Sequence, residues 1–418
     1  MIVKEILPNR LTLITEEMPH VRSVAIGVWL KRGSRHEPAE KSGIAHFIEH
    51  MVFKGTANRS AEAIASEVDS IGGHMDAFTA KEYAAFHLKV LDEHLPVATD
   101  ILGDIVLHPL FDPAEMAKEK KVIFEEMSMV EDTPDDLVME LFSEAYWPDH
   151  PLGRPILGTR ETVAAFDRDH LAAFFSDVYR PDNIVISAAG RLDHKTASDL
   201  IQDAFGALTS RGSTLDGGPP TPASAIVTRS KKELEQVHVC LGTRAYSMTH
   251  ADRYGAYLMN TVLGGSMSSR LFQNVREKRG LVYSISSGVS SYSDAGVLTV
   301  YAGTSLDSVD TVLELTLHEL RRLRDETLSE TELRRAKDHL KGSLMLSLEN
   351  TGARMSHLAR QEIYFGRQFP LDEITAGIEA VTAADVQRIA NDIFTGEPGL
   401  SVLGNLGRYK PKAEQIRL

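Results

Sequence analysis

A chain of 418 residues, 43% hydrophobic and 25% charged, is too long for one ordinary core and has the balance of a folded globular protein in two domains. Its 59 acidic against 45 basic residues leave a formal charge of −14, which argues against nucleic acid as a partner. No apolar run approaches the roughly 20 residues of a membrane span, so no membrane partner is expected. The N-terminal stretch "MIVKEILPNRLTLITEEMPH" reads as strand, turn and strand. It lacks the apolar core and cleavage site of a signal peptide, and its glutamates argue against a transit peptide. Cys240 is the only cysteine, so no internal disulfide can form and any metal must be held by His, Asp or Glu. A reducing cytoplasm fits best.

The next stretch, "GIAHFIEHMVFKGT" (43–56), places His46 and His50 four apart with Glu49 between them. On a helix these two imidazoles lie about 40° apart on one face and can reach one ion. Glu49 flanks that face, close enough to hold a water without being a ligand. Zinc suits such ligands, and a catalytic zinc needs three protein ligands plus an open position. "GGHMDAFTAKEY" (72–83) reads as a Gly-Gly turn entering an alternating strand. In the stretch that follows Asp112, the pattern is helical to about Val130, with Asp112 as cap and Pro113 in the first turn. Glu119 and Glu126, seven apart, point the same way and flank the apolar face of Met116, Ile123 and Met127, whereas Glu125 falls on a face with Lys118 and Lys121. Glu126 is therefore the expected third ligand. Glu119 is an outer carboxylate placed to orient a histidine, or else a solvated helix acid.

The two halves of the chain echo each other. "FDRDHLAAFFSDVYRPDNIVISAAG" (166–190) and "VTAADVQRIANDIFTGEPGLSVLGNLG" (381–407) share the order capped helix, turn, apolar strand, glycine, and Asp167 to Asp177 spans the same distance as Thr382 to Asp392. The least structured composition, "TSRGSTLDGGPPTPASA", lies between them at 209–225. The expected organisation is α+β: a duplicated unit of two homologous α/β-sandwich halves, an antiparallel-rich sheet packed with long helices in each. The expected boundaries are 1–212 for the metal half, 213–225 for a linker and 226–418 for the second half, which does not repeat the histidine pair.

H-x-x-E-H followed by a glutamate 76 positions after its second histidine resembles the pitrilysin/insulinase group of zinc metallopeptidases, the inverzincins. "HFIEHMVFKGT", "EKKVIFEEM", "GGHMDAFTAKEY" and "LGGSMSSRLFQNVREKRGLVYSI" are similar to its mitochondrial-processing-peptidase-like branch, which occurs as half-length chains in bacteria. The resemblance implies one Zn²⁺ per chain on His46, His50 and Glu126, with Glu49 as the general base for the water that attacks a scissile carbonyl. It implies that 72–83 is an edge strand to which a peptide adds, with Asp76, Ala77, Phe78 and Thr79 as the contact segment. The family usually carries Asn where this chain has Asp76, so backbone pairing is the firmer expectation. Arg276 and Tyr283 are implied to reach substrate carbonyls or the oxyanion, although Arg276 alone reads as a surface residue. Phe53 matches an aromatic wall of the pocket after the cut. Asp136 and Glu140 match acids that hold a substrate arginine; the other reading is stabilisation of a helix start by Asp135 and Asp136. A zinc endopeptidase for unfolded or presequence-like peptides is thus implied, as a homodimer or paired with a related subunit. Relatives that serve as non-catalytic core subunits lose the histidine motif, which this chain keeps.

Overall fold

In a computed structural model, residues 1–209 and 218–418 are described; positions 213–217 of the expected linker lie outside them, and 218–225 carry no helix or strand. None of the described helices is long and apolar enough to cross a membrane. The strand–turn–strand start is present as β1 (Ile2–Ile6) and β2 (Thr12–Glu17). With β3 (Ser23–Leu30), β4 (His74–Thr79), β5 (Ala84–Leu91) and β6 (Ile184–Gly190) they form a six-stranded sheet of order β1-β2-β6-β3-β5-β4. Only β2–β6 is parallel, and β4 is an edge.

A second sheet contains β7 (Ile226–Ser230), β8 (Val237–Arg244), β9 (Val282–Ser291), β10 (Gly296–Thr304) and β11 (Gly399–Gly404), in the order β7-β11-β8-β10-β9. Here too one pair is parallel, β7–β11, and the rest are antiparallel. The second sheet repeats β2-β6-β3-β5-β4 strand for strand, which is the duplication expected from the two echoing segments. Their helices, Arg168–Val178 and Ala383–Ile393, both begin with the expected caps: Asp167 accepts from the N–H of His170, and Thr382 from that of Asp385. Each leads into a strand, β6 and β11, that is buried throughout.

The chain packs as two compact units, and they are not the contiguous halves 1–212 and 226–418. One unit is Met1–Met127, Arg154–Gly217 and Met345–Gln368; the other is Ser128–Gly153, Gly218–Leu344 and Phe369–Leu418. Each half lends the other a helix. Thr351–Phe365 packs on β6, β3 and β2 of the first sheet, and Pro134–Tyr146 packs on β11 and β8 of the second. The reason lies in the two-sided sheets. One face of the first carries Ile14, Met18, Trp29 and Val185, all buried beneath Met355 and Leu358. Covering those four side chains is worth roughly 6–12 kcal/mol at 1.5–3 kcal/mol each, comparable with the whole net stability of a domain. A glycine opens the middle of each sheet for the lent helix: a Cβ on Gly27 would stand 2.9 Å from Met355 Sδ, and one on Gly242 would stand 2.3 Å from Phe142 Cζ. An ion pair from Arg354 to both carboxylate oxygens of Glu16, 2.5 Å each, fastens the first.

Cys240 is fully buried among Val138, Phe142, Val297 and Leu403, and burial pushes its thiol well above the ordinary range. A thiol reagent should leave it untouched in the native protein and modify it stoichiometrically in denaturant, as read by intact mass. Rapid native modification would mean that the second unit opens readily.

Candidate metal centre

The helix Ile44–Val52 divides its residues by the helical period. Ile44, Phe47, Ile48 and Met51 are buried in the core against the first sheet, while His46, Glu49 and His50 occupy the opposite stripe. His50 Nε2 lies 3.5 Å and His46 Nε2 3.7 Å from the same atom, Oε2 of Glu126. Glu126 arrives on the helix Pro113–Asp132, whose start is capped by Asp112 through the N–H groups of Ala114 and Glu115. Among the described residues these three form the one group able to hold a metal ion.

A tetrahedral ion with ligand bonds near 2.0–2.1 Å separates its ligand atoms by roughly 3.4 Å, so the spacing fits zinc. The electrostatics fit as well. Glu126 Oε2 is buried with no hydrogen-bond partner, a costly state that a cation relieves. Burial, with His50 beside it, pushes His46 down to about 3, so its imidazole is neutral and free to coordinate. Glu119, 5% exposed, accepts from His50 Nδ1 at 3.0 Å and from Lys54 Nζ at 2.6 Å. That bond leaves His50 Nε2 on the Glu126 side, and with an ion bound there it would raise the basicity of the imidazole, as expected of an outer carboxylate. Glu119→Gln should weaken zinc binding by about 10–100-fold in chelator competition. Unchanged affinity would mean that Glu119 serves only Lys54.

Glu49 stands beside the ligand set and accepts the Thr79 hydroxyl at 2.5 Å on Oε2. Burial raises its pKa, opposed by that hydrogen bond and by His50. Thr79 ends β4, and strand alternation sorts the expected contact segment. Met75, Ala77 and Thr79 share the half-buried face, and Met75 and Ala77 pack against the core that holds the metal helix. Phe78 instead packs edge-on against Trp29 and Tyr83, on the face roofed by Thr351–Phe365. Alternation puts the Asp76 side chain with Phe78, where it faces His87 across the pair with β5. Phe53, the C-cap of the metal helix, lines a cavity of about 290 Å³ with Glu49, His50, Lys54, Glu119 and the strand residues Met75, Asp76 and Ala77, so Asp76 borders the site as well as facing His87. Lys54 and Met75 were not singled out in the sequence, although Lys54 directly follows Phe53.

The remaining candidates belong to the other unit. Asp136 is exposed and Glu140 half-buried on Pro134–Tyr146. Arg276 lies in a π-helical turn, Phe272–Glu277, with its guanidinium 4.7 Å from the Phe272 ring and 5.9 Å from that of Tyr283, so the expected pair is adjacent. Tyr283 is 76% exposed.

This combination of duplicated sandwich and inverted histidine motif defines a class, and comparisons identify it. Residues 12–160 match the family described as insulinase (peptidase family M16), and 165–340 match the peptidase M16 inactive domain. An uncharacterized zinc protease of Bacillus subtilis, YmxG, is 44% identical over 97% of this chain and 99% of its own length. One from Streptomyces coelicolor is 40% identical over 96% of this chain and 89% of its own. The crystal structure of a protease from Helicobacter pylori superposes with a TM-score of 0.91 at 20% identity, covering 97% of this chain and 99% of that one, a likeness of fold. The chain belongs to peptidase family M16, the pitrilysin/insulinase family.

Proposed function

We propose that this protein is a zinc metalloendopeptidase that cleaves extended peptides, with one zinc per chain held by His46, His50 and Glu126. The convergence of two imidazole Nε2 atoms on an otherwise unpartnered buried Glu126 oxygen carries the reading. A zinc bound there supplies Lewis acidity and makes a water nucleophilic at neutral pH. Glu49 takes the proton from the attacking water and returns it to the leaving amine, its buried carboxyl poised upward for that exchange. Thr79 holds one oxygen of Glu49 and leaves the other for the water. The unpaired backbone of β4 adds the peptide as a further strand, and the cavity beside Phe53 takes the side chain after the cut.

Arg276 and Tyr283 are the donors to substrate carbonyls or the developing oxyanion, and Asp136 and Glu140 receive a basic side chain before the cut. The protein works in the cytoplasm as a homodimer, or with a related subunit, enclosing unfolded or presequence-like segments. Elemental analysis after metal-replete purification, together with cleavage of quenched peptides with and without arginine, tests the reading. One zinc per chain and faster cleavage of the arginine peptide support it. A protein that takes up no zinc would instead be a non-catalytic binding subunit.

A further inference from the structure

One buried carboxylate close to the metal helix has no part in the chemistry above. Glu37, 3% exposed, lies in the irregular segment between β3 and the helix Ile44–Val52. Its two oxygens accept the backbone N–H groups of Gly43 and Ala45, both at 2.8 Å. These belong to the orphan donors that every helix start leaves, usually satisfied by a Ser, Thr, Asp or Asn at the cap. No such side chain can stand here. The cap is Gly43 at φ +93°, and a Cβ on it would lie 2.5 Å from the Leu157 carbonyl oxygen. The first turn carries no acid either. Glu37 reaches in from six residues upstream and does the work of the missing cap. The Arg154 guanidinium donates to the Glu37 carbonyl at 2.9 Å, which fixes the segment from outside.

The same segment grips the far end of the peptide-accepting strand. Ser34 N–H donates to the Ala80 carbonyl at 3.1 Å and Arg35 N–H to that of Lys81 at 2.7 Å. The buried Arg35 and Glu82 side chains pair at 2.8 Å. Lys81 in turn donates to the carbonyl of Arg154. Residues 33–37 are thus bonded at one end to the turn that follows Thr79, and at the other to the N–H immediately before His46. Because Gly43 is the cap, His46 sits in the first turn of a nine-residue helix. Short helices fray from that turn, so a metal ligand stands where loss of capping is felt first.

We propose that Glu37 is a positioning residue for the metal helix: it caps that helix from outside and, through residues 33–35, holds His46, Glu49 and His50 in register with the β4 edge. The metal arm of this proposal stands on the ligand set, and the edge-strand arm rests on the function proposed above. In Glu37→Gln the side chain keeps its size but has a single acceptor, so either the Gly43 or the Ala45 N–H loses its partner.

The test is zinc affinity by chelator competition, with amide hydrogen exchange of residues 43–50, for wild type, Glu37→Gln and Glu37→Asp. Val24→Ala, a cavity in β3 away from the helix start, is the control for general destabilisation. Affinity should fall about ten-fold in Glu37→Gln, the loss typical of an outer partner, with faster exchange confined to the first turn. Val24→Ala should lower the melting temperature and leave affinity within about two-fold. Should Glu37→Gln fail to fold, Glu37→Asp, which keeps the charge but falls short by one methylene, is judged by the same two readouts. If the Glu37 variants melt lower yet bind zinc like wild type, the residue is merely structural and the proposal is overturned. Wild type that binds no zinc overturns the functional reading, and this proposal with it.

Discussion

Glu49→Gln should leave one zinc per chain and lower the cleavage rate by about a thousandfold. Positioned general bases contribute between about 10² and 10⁴, and this one stands in a site whose other parts the substitution spares. Glutamine matches glutamate in shape, still accepts the Thr79 hydroxyl through its amide oxygen, and touches none of the ligand atoms that face Glu126. What it cannot do is take a proton. Initial rates on a quenched peptide, with zinc measured on the same samples, separate the outcomes. A rate within about ten-fold of wild type would place the base elsewhere, and a lost zinc would make Glu49 part of the metal's support.

Removing the zinc should destabilise the unit that holds it. An ion that binds only the folded chain adds about 4 kcal/mol when free metal is a thousand times its dissociation constant. Without the ion, the buried Glu126 oxygen faces two imidazoles, and His46, held neutral by burial, offers it no compensating charge. Each unit contains one of the two tryptophans, Trp29 in the metal unit and Trp147 in the other. Replacing Trp147 by Phe therefore leaves fluorescence that reports the metal unit. Its unfolding midpoint should rise with zinc and fall with a chelator, and His46→Ala should abolish the shift. A zinc-dependent shift that survives His46→Ala would mean that the metal binds somewhere else.

The metal face was legible because its signals are local and periodic. His46 and His50 are one helical turn apart, Glu119 and Glu126 nearly two, and those spacings survive folding unchanged. The duplication was legible for the same reason, since Asp167 and Thr382 each announce a helix start. Glu37 gave no such sign. In "SRHEPAEK" it looks like one of several solvated charges, and its burial depends on the turn after β4 and on Arg154, both distant in sequence. The faces of β4 alternate visibly, but alternation alone does not say which face meets the metal, so Phe78 was grouped with Ala77 and Thr79. The lent helices escaped because an amphipathic pattern shows that a face will be covered, not which sheet it covers. Gly27 and Gly242 mark the landing places only once the strands are assembled.

That exchange of helices imposes an order on synthesis. A ribosome that has released residues 1–209 has already made all three candidate metal ligands, yet Trp29, Ala25, Val185 and Ala189 stay unroofed until Thr351–Phe365 emerges. At about 5–20 residues per second that is a wait of roughly 10–30 s. An apolar surface left open for so long is one a chaperone can hold. A nascent chain aborted before residue 351 carries His46, His50 and Glu126 with the sheet's other face still bare, so the last-made helix closes the unit that holds the first-made site.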